Sequence, residues 1–165
     1  MKDKKLEIHY RSVSPEELPA DDRELLEKAK QMTYNSYTPY SRFNVGAAIR
    51  MADGTIVMGS NQENAAYPSG TCAERTACFQ ASALYPGMAM KKIAVAARNI
   101  GIVPKGCEDG APFIARPISP CGACRQALME YEHLHGPIEV LLYGEEETYI
   151  FPSVASLLPF SFTEF

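Results

Sequence analysis

The sequence of 165 residues predicts one α/β domain, a three-layer α-β-α sandwich around a mixed five-stranded sheet. Predicted strands and helices alternate along most of the chain. Strands joined through helices imply a partly parallel sheet with helices on both faces. The first two main strands are instead separated only by a turn, which makes an antiparallel hairpin and therefore a mixed sheet. A chain of this length is the usual size of one domain.

The N-terminal part of the chain is predicted to hold a short edge strand and then helical segments. Apolar residues alternate over residues 5–13, a pattern typical of a strand. Residues 14–17, Ser-Pro-Glu-Glu, match a capping box, and Pro19 limits this helical segment to about one turn. A longer helix is predicted over 20–36, where apolar residues recur at helical spacing.

Five further segments supply the predicted sheet. Residues 43–51 and 55–64 form a hairpin around the Asp-Gly turn at 53–54. The continuous apolar run at 92–98 is typical of a strand that is buried on both faces. The last two strands are predicted at 138–144 and 147–151.

Two predicted helices carry four of the five cysteines. They cover residues 72–85 and 121–135, and Gly136 is the expected stop signal of the second. The stretch between them at 99–117 is rich in Gly and Pro and predicts a loop. A short last helix is predicted over 153–158.

The composition is that of a soluble globular protein, with 46% apolar and 22% charged residues. The net charge of −4 argues against binding of a long nucleic-acid strand, because such proteins carry a basic face. No apolar run is long enough to span a membrane and the N-terminus has no signal-peptide core, so we expect a cytoplasmic protein. In a reducing compartment, cysteines are expected to act as ligands or catalysts.

Cys121 and Cys124 form a C-x-x-C pair in the opening turn of a predicted helix. Backbone N–H groups and the positive end of the helix dipole favour thiolates there, which suits redox chemistry or metal binding. The pair alone does not decide between a thioredoxin-type redox pair, half of a metal site and two small buried residues.

Cys72 and Glu74, at the start of another predicted helix, favour the metal site. A third thiolate would complete a three-cysteine pocket, and zinc prefers sulfur ligands in tetrahedral geometry. Three protein ligands leave a fourth position for water, as in catalytic zinc sites. Glu74 could then take a proton from the water and return it to the leaving group.

Arg75 and Arg125 directly follow this glutamate and the C-x-x-C pair. A guanidinium can hydrogen-bond a thiolate and withdraw some of its charge. The alternative for each arginine is a cation on the helix surface, and we expect Arg75 to contact the thiolates.

Four stretches resemble the small homotetrameric zinc cytidine deaminases: YSRFNVGAAI from residue 40, NQENAAYPSG from residue 61, TCAERTA from residue 71 and PCGACRQ from residue 120. The resemblance begins near residue 22 and reaches LLPFSF at 157–162. It implies a cytidine deaminase-like domain over 20–165 and an additional N-terminal extension over 1–19.

The resemblance implies conversion of cytidine, and of deoxycytidine, to the uridine form with release of ammonia, in pyrimidine salvage. It implies one zinc ion per subunit, with Glu74 as the proton shuttle and Cys72, Cys121 and Cys124 as ligands. It also implies a homotetramer whose sites are shared between subunits. The implied nucleoside contacts are Phe43 and backbone Ala73 at the base, Asn61 and Glu63 at the ribose hydroxyls, and Tyr67 and Phe162 reaching across from neighbouring subunits.

Other interpretations remain open from the sequence. A relative could act on another aminopyrimidine such as blasticidin S, although Asn61 and Glu63 favour a sugar. Cys107 could be a fourth ligand that closes a structural zinc site in an interaction module. Cys121 and Cys124 could instead serve a thiol oxidoreductase. The 99–117 loop is longer than the family pattern and could alter access to the site or the subunit contacts.

Overall fold

The computed structural model describes residues 1–164 and contains one six-stranded sheet with helices on both faces. The strands are β1 (Arg11–Val13), β2 (Phe43–Met51), β3 (Ile56–Ser60), β4 (Met90–Asn99), β5 (Glu139–Tyr143) and β6 (Thr148–Phe151). The α-helices are α1 (Ala20–Met32), α2 (Ala73–Leu84) and α3 (Gly122–His135). The order of strands across the sheet is β1-β6-β5-β4-β2-β3.

The sheet is mixed, as predicted, because β4 and β5 are parallel and the other neighbouring strands are antiparallel. The predicted number of five strands is wrong, because β1 adds a sixth strand at the edge of β6. Only residues 11–13 of the predicted 5–13 strand join the sheet. The reason is that β6 has four residues and offers β1 partners only at Thr148, Tyr149 and Ile150.

The three layers of the sandwich are confirmed by the two apolar cores. Helix α1 packs Leu25, Leu26 and Ala29 onto one face of the sheet, against residues that include Ala94 and Leu141. Helices α2 and α3 share the opposite face, where the buried residues are Ala73, Ala77, Cys78, Ala81, Leu128 and Met129 from the helices and Ile49, Ile93, Val95, Val140 and Leu142 from the strands.

Gly59 in β3 sets how closely α2 approaches the sheet. A Cβ atom at this position would lie 2.5 Å from the backbone nitrogen of Ala77 and 2.7 Å from the carbonyl oxygen of Ala73. Both separations are shorter than van der Waals contact, so any residue with a Cβ atom at position 59 would push α2 away from β3. The first turn of α2 is therefore placed directly over the strand pair.

Several element ends differ from the predictions. Helix α1 ends at Met32, and a 3₁₀ turn over Thr33–Asn35 replaces its predicted last turn. The predicted last helix is only a 3₁₀ turn over Val154–Ser156. Helix α3 ends at Gly136 as predicted, with a φ of 90° that favours glycine. No helix within residues 1–164 has the length and apolar character needed to cross a membrane.

Candidate active site

Three cysteines from two helix N-termini meet at one end of the sheet. Cys72 is the N-cap residue of α2 and Cys121 is the N-cap residue of α3. Cys124 lies in the first turn of α3 and is fully buried. The Sγ atoms of Cys72 and Cys121 are 3.8 Å apart, and those of Cys121 and Cys124 are 3.4 Å apart. All three sulfur atoms lie within 4.8 Å of one another.

This cluster fits a zinc ion. Sulfur atoms at these separations can surround one small divalent cation, and thiolates are preferred zinc ligands. The N-terminal ends of α2 and α3 add a positive potential that favours the ionised thiols. Within residues 1–164, Cys107 is not part of the cluster and is exposed on the 99–117 loop. The three-ligand arrangement therefore suits a catalytic site better than the closed structural site.

The pKa values of the Cys72 and Cys124 thiols are shifted in opposite directions. The pKa of Cys72 is lowered to about 5 by hydrogen bonds from Cys124, Arg75 and Cys121, which outweigh its partial burial. The pKa of Cys124 is raised by its hydrogen bond to Cys72, by burial and by the charge of Glu74. The two shifts thus favour the thiolate at Cys72 and the protonated thiol at Cys124. A divalent cation would draw off the remaining protons as it binds.

Arg75 contacts the cluster, whereas Arg125 bonds to other groups. The Nη2 atom of Arg75 lies 4.0 Å from the Sγ atom of Cys72. The guanidinium of Arg125 instead donates to the carbonyl oxygens of Pro120 and Leu157, each at 2.8 Å, and to the Ser119 hydroxyl at 2.8 Å. Of the two alternatives left open for Arg125, these bonds match neither a thiolate contact nor a free cation on the helix surface. Its side chain ties the loop before α3 to the C-terminal segment.

Glu74 lies in the first turn of α2 and is only 5% exposed. Its pKa is raised, mainly because burial disfavours the carboxylate and also because Cys72 is negatively charged nearby. A carboxyl group that is less acidic than usual can both accept and release a proton near neutral pH. Glu74 therefore has the position and the electrostatics of a proton shuttle beside the thiol cluster.

A cavity of about 560 Å³ opens next to the cluster. Cys72 and Arg75 form one end of its wall, and three of the predicted nucleoside contacts, Asn61, Glu63 and Tyr67, also line it. The volume is within the usual range for pockets that bind small molecules. The cavity therefore joins the predicted metal site to the predicted sugar site.

Glu63 is held in a fixed orientation at the cavity wall. Its Oε2 atom accepts hydrogen bonds from the backbone N–H groups of Tyr40 at 2.9 Å and Ser41 at 3.2 Å. Although burial raises the pKa of Glu63, the hydrogen bonds from Ser41 and Tyr40 outweigh it and lower the pKa overall. The side chain is thus an ionised acceptor whose second oxygen, Oε1, takes no part in these two backbone bonds.

Asn61 makes structural contacts that the sequence did not predict. Its Oδ1 atom accepts from the Val45 N–H at 2.8 Å, and its Nδ2 atom donates to the carbonyl oxygen of Phe43 at 2.9 Å. The carboxamide thus fastens the residue after β3 to the start of β2. One lone pair and one N–H of the group lie outside these two bonds.

Of the remaining predicted contacts, Tyr67 lines this cavity, whereas Phe43, Ala73 and Phe162 do not. Phe43 is half-buried at the start of β2, and Ala73 is buried at the start of α2, next to Cys72. Phe162 is 68% exposed, and its backbone is held by the side chain of Gln126 through bonds of 2.6 Å and 3.2 Å. Tyr67 is 76% exposed and meets Tyr40 edge to face, with the ring centroids 5.8 Å apart.

Tyr40 and Ser41 are site residues that sequence reasoning missed. They act through backbone N–H groups, which every residue type except proline carries. Their signal was only that they lie in the YSRF stretch just before β2, close to the predicted base contact Phe43.

The fold and the site define a class of enzyme. An α-β-α sandwich with three thiols at two helix N-termini, a buried carboxyl beside them and an adjoining cavity is the arrangement of a zinc-dependent hydrolytic deaminase. The model of the family described as "Cytidine and deoxycytidylate deaminase zinc-binding region" matches residues 19–135. The chain belongs to this family.

Individual relatives agree with this assignment. A cytidine deaminase from Sporosarcina psychrophila is 40% identical over 147 residues, which cover 87% of this chain and 93% of the relative. One from Halalkalibacterium halodurans is 40% identical over 110 residues, covering 67% and 71% of the two chains. A crystal structure of cytidine deaminase from Burkholderia pseudomallei is 38% identical, has a TM-score of 0.68 and is matched over 84% of this chain and 97% of that chain.

Proposed function

We propose that this chain is a zinc-dependent cytidine deaminase, which hydrolyses cytidine, and also deoxycytidine, to the corresponding uridine nucleoside and ammonia. The observation that carries the proposal is the buried carboxyl of Glu74 beside three convergent thiols, at the end of a cavity whose wall presents the ionised carboxylate of Glu63. Curated relatives named cytidine deaminase, at about 40% identity, support this choice of substrate.

Cys72, Cys121 and Cys124 are the residues that would hold zinc, which supplies Lewis-acid activation of a water molecule when bound. Glu74 is the residue that would take a proton from the attacking water as the C4–O bond forms, and give it to N3 as the C4–N3 double bond becomes single. It would then pass the remaining hydroxyl proton to the amino group, so that C4=O forms, the bond from C4 to the amino nitrogen breaks and ammonia leaves. Arg75 stabilises the negative charge of Cys72 throughout.

Recognition of the nucleoside divides between its two halves. The Glu63 carboxylate accepts hydrogen bonds from ribose hydroxyls, for which an ionised acceptor in a fixed orientation is well suited. The backbone of Ala73 and the ring of Phe43 contact the base, and Asn61, whose carboxamide is held by its bonds to Val45 and Phe43, contacts the ribose hydroxyls with Glu63. A sugar-binding carboxylate favours cytidine over an aminopyrimidine such as blasticidin S.

The proposed active form is a homotetramer whose sites are shared between subunits. Tyr67 and Phe162 project from the described chain with most of their surface exposed, as expected for side chains that complete a neighbouring site. We further propose that the enzyme works in the cytoplasm, in pyrimidine salvage. A structural zinc module and a thiol oxidoreductase are disfavoured by the position of Cys107 outside the cluster and of Glu74 beside it.

The test is loss of the cytosine ultraviolet absorbance when purified protein is added to cytidine. Wild type, Glu74→Gln and a control, Glu130→Gln on the exposed face of α3, are compared, with zinc measured in the same samples. We expect Glu74→Gln to lose about a hundredfold or more of the turnover and to keep its zinc. Turnover of Glu74→Gln within tenfold of wild type would refute the proton-shuttle role. No turnover by zinc-loaded wild type would refute cytidine as the substrate.

A further inference from the structure

Two arginines fasten the 99–117 loop to the body of the domain. Arg98, at the end of β4, is 1% exposed, and its Nη1 atom donates to the carbonyl oxygens of Glu108 at 3.1 Å and Asp109 at 3.3 Å. Arg42 donates from Nη2 to the carbonyl oxygen of Val103 at 3.1 Å and to the Glu108 carboxylate at 3.2 Å. The loop is therefore docked at defined contacts.

Arg42 has an unusual backbone conformation. Its φ of 53° lies in the left-handed region, which residues other than glycine rarely adopt. The backbone is bonded on both sides: the Arg42 N–H donates to the Thr38 carbonyl oxygen at 3.1 Å, and the Arg42 carbonyl accepts from the Gly101 N–H at 3.1 Å. A conformation of this kind persists where the surroundings hold it, and here the loop supplies part of that support.

The same turn, residues 38–42, carries the two N–H groups that hold Glu63. Tyr40 and Ser41 both donate to the Oε2 atom of Glu63, and Ser41 immediately precedes Arg42. Two successive N–H groups converge on one oxygen only in a particular shape of the turn. Arg42 thus connects the loop to Glu63: it is covalently bonded to Ser41, whose N–H holds the Glu63 carboxylate, and it is hydrogen-bonded to the 99–117 loop.

We propose that the 99–117 loop, through the Arg42–Glu108 ion pair, positions Glu63 for the sugar hydroxyls of the substrate. Arg42 and Glu108 are positioning residues, since neither lines the cavity that holds Glu63. This inference rests on the proposed function, in which Glu63 accepts hydrogen bonds from ribose. The 99–117 loop would thus control sugar recognition although it does not line the cavity.

The test compares two substrates that differ only at the sugar. Cytidine carries the hydroxyls that Glu63 would bind, and 2′,3′-dideoxycytidine lacks them. The variants are Arg42→Gly, which suits the left-handed backbone at this position, Glu108→Ala, and the double variant. The control is Asp109→Ala, an exposed acidic residue on the same loop whose side chain makes no ion pair within residues 1–164.

We expect KM for cytidine to rise roughly three- to tenfold in either single variant, with kcat within about twofold of wild type. We expect kcat/KM for dideoxycytidine to stay unchanged, because Glu63 has no hydroxyl to bind there. The double variant should be no worse than the more affected single variant, since both changes remove one coupling. Melting temperature and zinc content identify any variant that is damaged globally, in which case Glu108→Ala carries the test.

Equal losses on both substrates, or an unchanged KM for cytidine in a folded Glu108→Ala protein, would overturn this inference and leave the proposed function intact. A loss in the Asp109→Ala control as large as in Glu108→Ala would also overturn it. A wild-type protein that does not turn over cytidine would instead refute the proposed function, and this inference with it.

Discussion

Glu132 is expected to be one of the strongest single determinants of stability in this fold. It lies in the last turns of α3 and is 7% exposed. Its Oε2 atom accepts from the N–H groups of Ile138 at 2.8 Å and Val154 at 2.7 Å, and its Oε1 atom accepts from the Ala155 N–H at 2.9 Å. One carboxylate therefore joins α3 to the entry of β5 and to the turn that begins the C-terminal segment.

The loss in free energy of unfolding that we expect for Glu132→Ala follows from these three hydrogen bonds. A hydrogen bond to a charged group contributes about 1.5–3 kcal/mol, and a buried donor left without a partner costs about 1–3 kcal/mol. Glu132→Ala removes all three bonds, while alanine itself favours a helix slightly. Allowing for water that reaches some of the freed N–H groups, we expect a loss of about 3–6 kcal/mol, a large part of the 5–15 kcal/mol that is typical of a domain.

The assay is urea unfolding of the zinc-loaded protein at one fixed subunit concentration, because an assembly shifts the apparent stability with concentration. Glu130→Ala on the exposed face of the same helix is the matched control and should change stability by less than about 0.5 kcal/mol. Glu132→Gln should be intermediate, since its amide nitrogen would face an N–H donor. A Glu132→Ala protein within about 1 kcal/mol of wild type would refute the reasoning.

Two further predictions concern packing and pH. Gly59→Ala would place a Cβ atom 2.5 Å from a backbone nitrogen of α2, so we expect the free energy of unfolding to fall by about 1–3 kcal/mol and zinc to be lost more readily to a chelator. The control is Gly110→Ala, where nothing lies within 4 Å of the new Cβ atom, and it should show neither effect. Burial works to lower the pKa of Lys92, but its contacts to Asp22 at 2.6 Å and Glu139 at 2.8 Å raise it overall. With Asp22 and Glu139 ionised, the stabilisation from Lys92 is therefore complete below the ordinary lysine pKa of 10.5 and is lost as pH rises through the higher folded value. From neutral pH up to 10.5, the stability gap between wild type and Lys92→Met should be constant, and above 10.5 it should shrink. A gap that already shrinks between pH values of about 8 and 10 would contradict this assignment.

Local signals were sufficient for most of the fold. Apolar runs, the Asp-Gly turn and Gly136 predicted the five main strands and helices α2 and α3. The sixth strand was predicted, but with the wrong length. The alternating pattern over 5–13 could not show that β6 offers partners to only three of those residues. The length of a strand depends on its neighbour as well as on its own sequence.

The limits at the site have a similar cause. The cysteine motifs pointed to the cluster because Cys72 and Glu74 at one predicted helix start complemented the C-x-x-C pair at another, and the fold brings both N-caps together. The role of Arg125 stayed open in the sequence because the next residue along a helix is rotated by about 100°, so its side chain points away from that of Cys124. The link from Glu108 to Arg42 spans 66 positions and depends on a left-handed backbone that nothing in the residue type indicates.

The parallel pairing of β4 and β5 explains why the three thiols lie together. Helix α2 precedes β4 and helix α3 precedes β5, and both helices pack on the same face of the sheet. Because β4 and β5 run in the same direction, two helices that each run back along the sheet must begin at the same end of it. Thiols at the two N-caps are therefore adjacent by topology. The same end of β4 passes into the 99–117 loop, with Asn99 paired to Phe43. The 99–117 loop therefore begins at the end of the sheet where the thiols lie, although none of its residues lines the cavity. This placement is why we expect sequence changes in the loop to alter specificity before they alter stability.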